Sequence, residues 1–591
     1  MCGIFGNFVF SGEQRNQACF QRMAQSLHHR GPDAAGFECN NRAALGNTRL
    51  SIVDLSEASN QPLYSPDKRY TLVQNGEIYN FPELRSELER NGAKFLTQGD
   101  TEVLLHAFLS WGEEFVTRLN GMFAIAIFDK QTETLWLFRD RLGVKPLFYI
   151  RDERQLHFAS EIKGLLSLGL PVKPNLSGLA SMFMLNYTPP ALTCFEGVEQ
   201  VQPGHFLRVS KSGAVQKQYW SLSCVDSIPD MTESEAKSEF LKLLDDSTRI
   251  RMRADAPFGA FLSGGLDSSS VVGFMSLYQE EPVQTYSIGF EDPRFDETKY
   301  AQMAAKRFGT LHKVSYLQPD IETMWNRFVW HTEQPHGDVS FIPTDAVAKL
   351  AAQDVKMVLT GDGGDELFAG YTKYLDYFDS HKELRPAQYA EITGLVGQQG
   401  ATGLFTDSFL EVFRSLPNPM QVALEESAVK DPINRVLAAE IELLLPGNNL
   451  VKPDRMAMAN SLEVRSPFLD YRMVEYAQKV PGRLKLKDGQ TKAIFKKAIE
   501  PFLGPELTYR KKQMFTVPVG EWFKGSLKKY CEDTLLDGRA FTRGIYRPQV
   551  LESIIAEHFT ETKNHTRLIR AMISTELWHR QFIDHDESMK I

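Results

Sequence analysis

Cys2 is the first residue of the chain able to do covalent chemistry. It follows Met1 and precedes Gly3. A small second residue permits removal of Met1, which leaves the thiol beside a free α-amine. That amine has a pKa of about 8 and is partly unprotonated at neutral pH. One residue can then act as nucleophile and base together, as an N-terminal threonine does. A second group lies far downstream. FLSGGLDSSS (261–270) follows an apolar run and leads into a helical pattern. Gly264 and Gly265 let backbone amides turn inward as an anion nest, and the helix N-terminus adds its dipole. Ser263, Ser268 and Ser269 add hydroxyl donors. This pattern predicts a phosphate-binding loop without the Gly-Lys-Ser/Thr ending of a Walker A loop. A third group, TGDGGDELFAGY (360–371), sets Asp362, Asp365 and Glu366 around glycines after another apolar run. Carboxylates beside a triphosphate hold Mg²⁺, which takes one or two of them together with phosphate oxygens and water.

Two kinds of patterning must position these groups. Residues 1–170 are strand-rich, with runs at 3–9, 71–74 and 121–128. The last of these, GMFAIAIF, is apolar enough to be a strand buried on both faces. Helical patterns occupy 14–27, 81–91 (with Gly92 as a C′ stop) and 102–111. Strands followed by helices on both sides predict an α+β layered domain. Residues 171–234 are rich in Pro, Gly and Ser and read as a connecting region. From 235 the pattern alternates: strands at 257–262, 285–290 and 355–360, helices at 268–278 and 297–308. Such alternation predicts parallel strands with crossover helices. Beyond 380 the chain reads as helices with frequent breaks, and the last stretch, 526–591, as a helical extension.

Composition narrows the class. The 591 residues carry 66 Lys+Arg against 75 Asp+Glu, a net charge of −9, which argues against a nucleic-acid surface. The uncharged stretch 174–195 is interrupted by Asn186, Pro189 and Pro190. It falls short of the roughly 20 apolar residues a membrane span needs. MCGIFGNFVF has no basic region before its apolar residues, so no signal peptide is expected and the chain is placed in the cytoplasm. Cys2, Cys19, Cys39, Cys194, Cys224 and Cys531 form no CxxC pair and predict no disulfide framework.

The segments RGPDAAGF (30–37), NTRLSIVDLS (47–56), NQPL (60–63), NGEIYN (75–80) and GDTE (99–102) follow MCGIFG in order. Together they resemble the class II glutamine amidotransferases, N-terminal nucleophile hydrolases with an αββα sandwich. The resemblance implies that Cys2 attacks the glutamine amide while Asn75 and the Gly76 N–H hold the developing oxyanion. Such a donor contributes about 3–4 kcal/mol to the transition state. It also implies glutamine contacts from Arg49, Leu50, Ile52, Val53, Asn75, Gly76, Glu77 and Asp100, with Arg49 on the carboxylate and Asp100 and Glu77 on the ammonium and amide. Arg30 and Asp33 are equally suited to holding their own loop together.

The second half resembles the PP-loop ATP pyrophosphatases, whose α/β domain cleaves ATP between the α- and β-phosphates. By that resemblance Leu262, Ser263, Gly264, Gly265, Asp267, Ser268, Ser269, Ile288, Thr360 and Gly361 line the ATP site, and Asp267 and Asp365 hold Mg²⁺. Asp362 and Lys492 would meet the acyl-adenylate, although Lys496 and Lys497 lie close to Lys492. Asp454 and Arg455, in VKPDRMAMANSLEVRSPFLDYR (451–472), either line the site or make a structural salt bridge.

The two halves together resemble the glutamine-hydrolysing asparagine synthetase family. The domains expected are a glutaminase at 1–170, a connector at 171–234, a synthetase at 235–525 and the extension at 526–591. The implied substrates are glutamine, ATP and an acceptor carboxylate, first of all aspartate, with Mg²⁺ as cofactor and ammonia crossing between the domains. Met122 is a candidate lining of that route. A different acceptor (a peptide, a sugar uronate or a secondary metabolite) is the alternative, because Asp362 and the segment HTEQPHGDVSFIPT (331–344) depart from the usual bacterial form. A tRNA-modifying PP-loop enzyme would want a basic surface, and a β-lactam-synthetase-like cyclase would have no use for Cys2. A non-catalytic scaffold would not need the retained nucleophile and carboxylates. Members of the family often form homodimers, which nothing in the sequence shows.

Overall fold

Apolar residues alternate along the early strands, so each strand has two faces to bury. The computed structural model describes residues 2–222, 225, 227–317, 320–381, 383–510 and 527–589. Met1, Cys224 and the boundary expected at 525/526 lie outside the described residues. In chain order the first strands are β1 (Cys2–Val9), β2 (Ala34–Cys39), β3 (Ala43–Arg49), β4 (Leu63–Tyr64), β5 (Tyr70–Ile78) and β6 (Gly121–Asp129). They continue with β7 (Thr134–Arg139), β8 (Phe148–Arg151), β9 (Gln155–Ala159), β10 (Val198–Gln200), β11 (His205–Ser210) and β12 (Gly213–Gln218). Two six-stranded sheets result, ordered β10-β8-β9-β1-β3-β2 and β12-β11-β7-β6-β5-β4.

β6 shows how they stack. Its Ala124, Ala126 and Phe128 join Ile4, Phe8 and Leu45 in the layer between the sheets. Its Phe123, Ile125 and Ile127 meet Leu84, Leu88, Val103 and Phe108 on the helices Phe81–Arg90 and Asp100–Trp111. On the outer face of the other sheet, Phe5 and Ala159 pack under Phe20 and Met23 of the helix Gln17–Ser26. The layers therefore run helix, sheet, sheet, helix, as expected. The stretch 171–234 is not a plain connector: it supplies β10 to one sheet and the hairpin β11–β12 to the edge of the other.

The second unit is built on the parallel sheet β15-β14-β13-β16-β17, comprising β13 (Phe258–Phe261), β14 (Gln284–Gly289), β15 (Leu311–Tyr316), β16 (Met357–Leu359) and β17 (Glu463–Arg465). Crossover helices such as Leu266–Met275 and Thr298–Phe308 cover it. The late residues are helical but are no appendage. Trp578 and Phe582 pack edge-on against Phe195, and Trp325 Nε1 donates to Ser574 Oγ at 3.0 Å. Among the described residues no helix is long and apolar enough to cross a membrane.

Candidate active sites

Two stacked sheets assemble the first site, with Cys2 and Arg49 on strands of one and Asn75 and Gly76 on a strand of the other. In the β1/β3 ladder Cys2 stands opposite Arg49, and in the β5/β6 ladder Asn75 and Gly76 face Ala124 and Phe123. Cys2 is buried, and its N–H donates to Asn75 Oδ1 at 3.2 Å. The Asn75 amide nitrogen donates to Ser160 Oγ at 3.4 Å, so its second hydrogen is left for an incoming oxygen. Gly76 has φ +142°, and a Cβ there would stand 2.0 Å from the Met122 carbonyl oxygen, so only glycine fits beside the nucleophile. Burial pushes the Cys2 thiol above its ordinary value, against the pull of the Leu50 N–H, the Asn47 side chain and the Arg49 charge. Asn47 is a site residue that the sequence reading missed; its only signal was its place in the NTR triplet before Leu50.

The two ends of a glutamine molecule have counterparts here. The buried Arg49 guanidinium donates to the carbonyl oxygens of Ser56 at 3.0 Å and Val53 at 3.4 Å, to the Asp54 carbonyl, and to Asn60 Oδ1 at 2.8 Å. All are neutral, and among the described residues no carboxylate pairs with it, so its charge is available to a substrate carboxylate. Asp100 Oδ2 accepts from Gln74 Nε2 at 2.8 Å and from the Ile78 N–H at 3.0 Å. Burial holds the Asp100 carboxyl above its ordinary value. Burial and then the Asp100 charge push Glu77 well up, with Arg465 pulling the other way from 3.4 Å. An ammonium placed between the two carboxylates relieves both. Leu50 and Ile52 are buried, and Val53 is partly so.

The second site sits at the C-terminal ends of parallel strands, where α/β sheets bind ligands. The loop after β13 is tightly wound. Gly264 has φ +68° and passes so close to Tyr300 that a Cβ would come within 2.3 Å of its carbonyl carbon. Ser263 and Ser268 hydroxyls lie 3.1 Å apart, and the Gly265 N–H donates to Ser263 Oγ at 3.3 Å. Ser269 Oγ is buried with no hydrogen-bond partner among the described residues. Leu262 and Ile288 are buried at the adjoining strand ends, and Gly361 leaves room for no Cβ, which would lie 2.7 Å from Asp267 Cβ.

Lys492 organises the carboxylates. Its Nζ donates to Asp267 at 2.6 and 2.7 Å and lies 2.8 Å from Asp365 Oδ1. Burial draws this ammonium down, but the two carboxylates outweigh it and hold the pKa above its ordinary value. Lys492 is also a non-glycine residue at φ +51°, a conformation that costs of order 1–3 kcal/mol and tends to persist at functional sites. Lys497 turns away to Glu233, 2.7 Å off. The three carboxylates after β16 diverge. Only Asp365 reaches Lys492. Asp362 Oδ2 accepts from Thr360 Oγ1 at 2.7 Å, and burial raises its pKa. Glu366 accepts from Asn449 Nδ2 at 2.5 Å and from the Tyr371 hydroxyl.

The two sites share an apolar layer. Leu50, Ile52, Tyr79, Met122 and Leu142 of the first unit belong to one buried cluster with Leu262, Leu266, Leu359 and Phe468 of the second. The Asp54 N–H donates to Asp255 Oδ2 at 2.7 Å across this seam, and the Asp255 N–H to the Ile52 carbonyl at 2.9 Å. Asp33 accepts from the Ser51 N–H at 2.8 Å and from Lys356 Nζ at 2.6 Å. Asp454 and Arg455 do not line the nucleotide pocket; both point into the seam, toward Arg30 and Glu161.

The buried Cys2 thiol beside Asn75 and Gly76, joined through an apolar layer to a Gly-Ser loop with paired carboxylates, is the arrangement expected of a ligase that draws its nitrogen from glutamine. Residues 1–220 match the family profile described as a glutamine amidotransferase domain, and residues 239–580 that described as asparagine synthase. The chain is 32% identical to Asparagine synthetase [glutamine-hydrolyzing] 1 of Bacillus subtilis, an alignment covering 98% of this chain and 96% of that protein. It is 32% identical to a Putative asparagine synthetase [glutamine-hydrolyzing] of Mycobacterium tuberculosis, over 95% of this chain and 94% of that one. It is 28% identical to Amidase chry2 of Gibberella zeae, over 90% of this chain and 91% of that one. The chain belongs to the glutamine-hydrolysing asparagine synthetase family.

Proposed function

We propose that this enzyme converts aspartate to asparagine. ATP activates the acceptor side-chain carboxylate as an acyl-AMP with release of pyrophosphate. Cys2 attacks the glutamine amide, ammonia leaves, and water resolves the thioester to glutamate. Ammonia then displaces AMP. With Met1 removed, the Cys2 amine, anchored on Asn75, takes the thiol proton, and Asn75 and the Gly76 N–H receive the oxyanion. In bulk water at neutral pH ammonia is mostly ammonium, which is no nucleophile. The apolar layer containing Met122 supports a dry crossing.

Asp267 and Asp365 converge on one cation, the Lys492 ammonium, and so fit Mg²⁺, which uses one or two carboxylates plus phosphate oxygens. An ion held there would supply positive charge against the phosphates. Lys492, on the same side, is placed to meet the acyl phosphate and the departing pyrophosphate.

The observation that carries the acceptor reading lies beside Asp362. Lys452 Nζ is 2.9 Å from Ser340 Oγ and 3.3 Å from Asp338 Oδ2, with the Glu366–Asn449 pair on the same side of the pocket. Burial draws this ammonium down, yet the Asp338, Asp362 and Glu366 charges raise it. Charges of both signs at one edge suit an acceptor that carries an ammonium and a second carboxylate of its own. Pyrophosphate release from ATP, followed with aspartate, glutamate, a uronic acid and a peptide in turn, tests this. Aspartate should give the fastest release. Silence with aspartate and release with another acid would replace the acceptor and leave the amidation chemistry standing.

A further inference from the structure

One cluster of seven charged side chains is sealed into the seam: Arg30, Lys145, Glu161 and Lys163 from the first unit, Glu333, Asp454 and Arg455 from the second. Each is at most 6% exposed. They fall into two arms. In one, Glu333 accepts from the Ile162 and Lys163 N–H groups at 2.9 and 2.6 Å, and its carboxylate lies 3.1 Å from Arg455. In the other, Arg30 grips Asp454 with two parallel hydrogen bonds of 2.9 and 3.1 Å, and Lys145 adds a contact to the same carboxylate at 3.3 Å. Arg455 and Arg30 both reach Glu161, at 2.9 and 2.7 Å, which ties the arms together.

The Arg30 arm differs from the other in what lies at its ends. Arg30 Nε donates to the Cys2 carbonyl oxygen at 3.1 Å. Asp454 lies on the helix Val451–Met458, two residues after Lys452, whose ammonium faces Asp338 and Ser340 beside Asp362. One planar guanidinium therefore spans from the nucleophile's own peptide to the helix that borders the acceptor pocket. A buried ion network of this sort adds little net stability, because desolvation offsets the Coulomb gain. What it does fix is geometry: a bidentate pair holds both distance and angle.

We infer that Asp454 is a positioning residue which, through Arg30, locks Cys2 in register with the synthetase pocket and so couples glutamine hydrolysis to amide formation. This rests on the two-site amidation described above. The wild-type ratio of glutamate to AMP checks that reading separately, since a fused two-site enzyme should hold it near one.

The test measures synthesis with glutamine, synthesis with ammonium chloride, and glutamate formed per AMP. For Asp454→Asn, glutamine-dependent synthesis should fall about tenfold while ammonia-dependent synthesis stays within about twofold, and the glutamate-to-AMP ratio should rise about threefold or more. Asp454→Glu keeps the charge but shifts it by one methylene, and should raise the ratio about twofold. Glu333→Gln, in the arm that does not touch Cys2, should leave the ratio unchanged. An unchanged ratio in Asp454→Asn overturns the inference, as does an equal loss with both nitrogen sources. Uncoupling as large in Glu333→Gln also overturns it. Should Asp454→Asn not fold, an unchanged ratio in Asp454→Glu is the overturning result.

Discussion

The candidate glutamine site and the candidate nucleotide site are built by opposite means. Cys2 and Arg49 face each other across the β1/β3 ladder of one sheet, and Asn75, Gly76 and Glu77 lie on β5 of the sheet stacked against it, so ladder register and sheet packing together fix their spacing. Their charges are kept apart: Arg49 sees only neutral oxygens, and Asp100 and Glu77 are held up by burial. The nucleotide pocket gathers its groups from loops after β13 and β16 and from Lys492, 225 positions beyond Asp267. There the opposite charges already satisfy one another. The charges of the first site are thus unpaired by opposite charge within it, whereas those of the second are already paired internally. An antiparallel frame preforms a site; a loop-built site keeps a choice of partners.

The largest effect that separates the pockets is expected from Cys2→Ala. Glutamine-dependent synthesis should drop by about 10⁴ or more, as removal of a covalent nucleophile does elsewhere. Ammonia-dependent synthesis should persist, and assays with the two nitrogen sources side by side decide it. Lys492→Met should act in the reverse sense. Pyrophosphate release with either nitrogen source should fall by about 10²–10³ once the cation facing the phosphates is gone, while glutaminase activity without ATP is retained. Loss of glutaminase as well would show that Lys492 holds up both pockets.

The smallest effect concerns pH. Glu77 and Asp100 have raised pKa values, so they take up protons at a higher pH than ordinary carboxylates. The ammonium of glutamine needs them ionised. Its KM should therefore rise as pH falls, by about threefold to tenfold, along an acid limb that begins above the ordinary carboxylate range, and level off at higher pH. Asp100→Asn should raise KM at every pH and flatten this acid limb. An acid limb lying only near pH 4 in the wild type would contradict the assignment.

Much of this was legible in the sequence because chemistry and local structure coincide there. CGIFG lies in β1 and NGEI in β5, strands of two stacked sheets that bring Cys2 to Asn75, and SGGLDSS runs from the short loop after β13 into the first turn of its helix. The hairpin β11–β12 was missed because β12, GAVQKQ, is an edge strand largely open to solvent, so its pattern looks like a linker. The seam was missed for a different reason. Arg30 and Asp454 each look like half of a surface ion pair, and the two stand 424 residues apart in the chain. Nothing short of the packed structure says that two such halves meet in the dark.

That continuous seam limits how the enzyme can be dissected. A fragment ending near residue 170 would lose β10 to β12 and lay bare Leu50, Ile52, Tyr79 and Met122, together with Arg30, Lys145, Glu161 and Lys163, each deprived of its partner from the second unit. Such a piece would present a sticky patch and an open sheet edge at once, a combination that favours aggregation in the test tube. The glutaminase half is therefore best obtained by silencing its neighbour within the intact polypeptide, not by cutting it free.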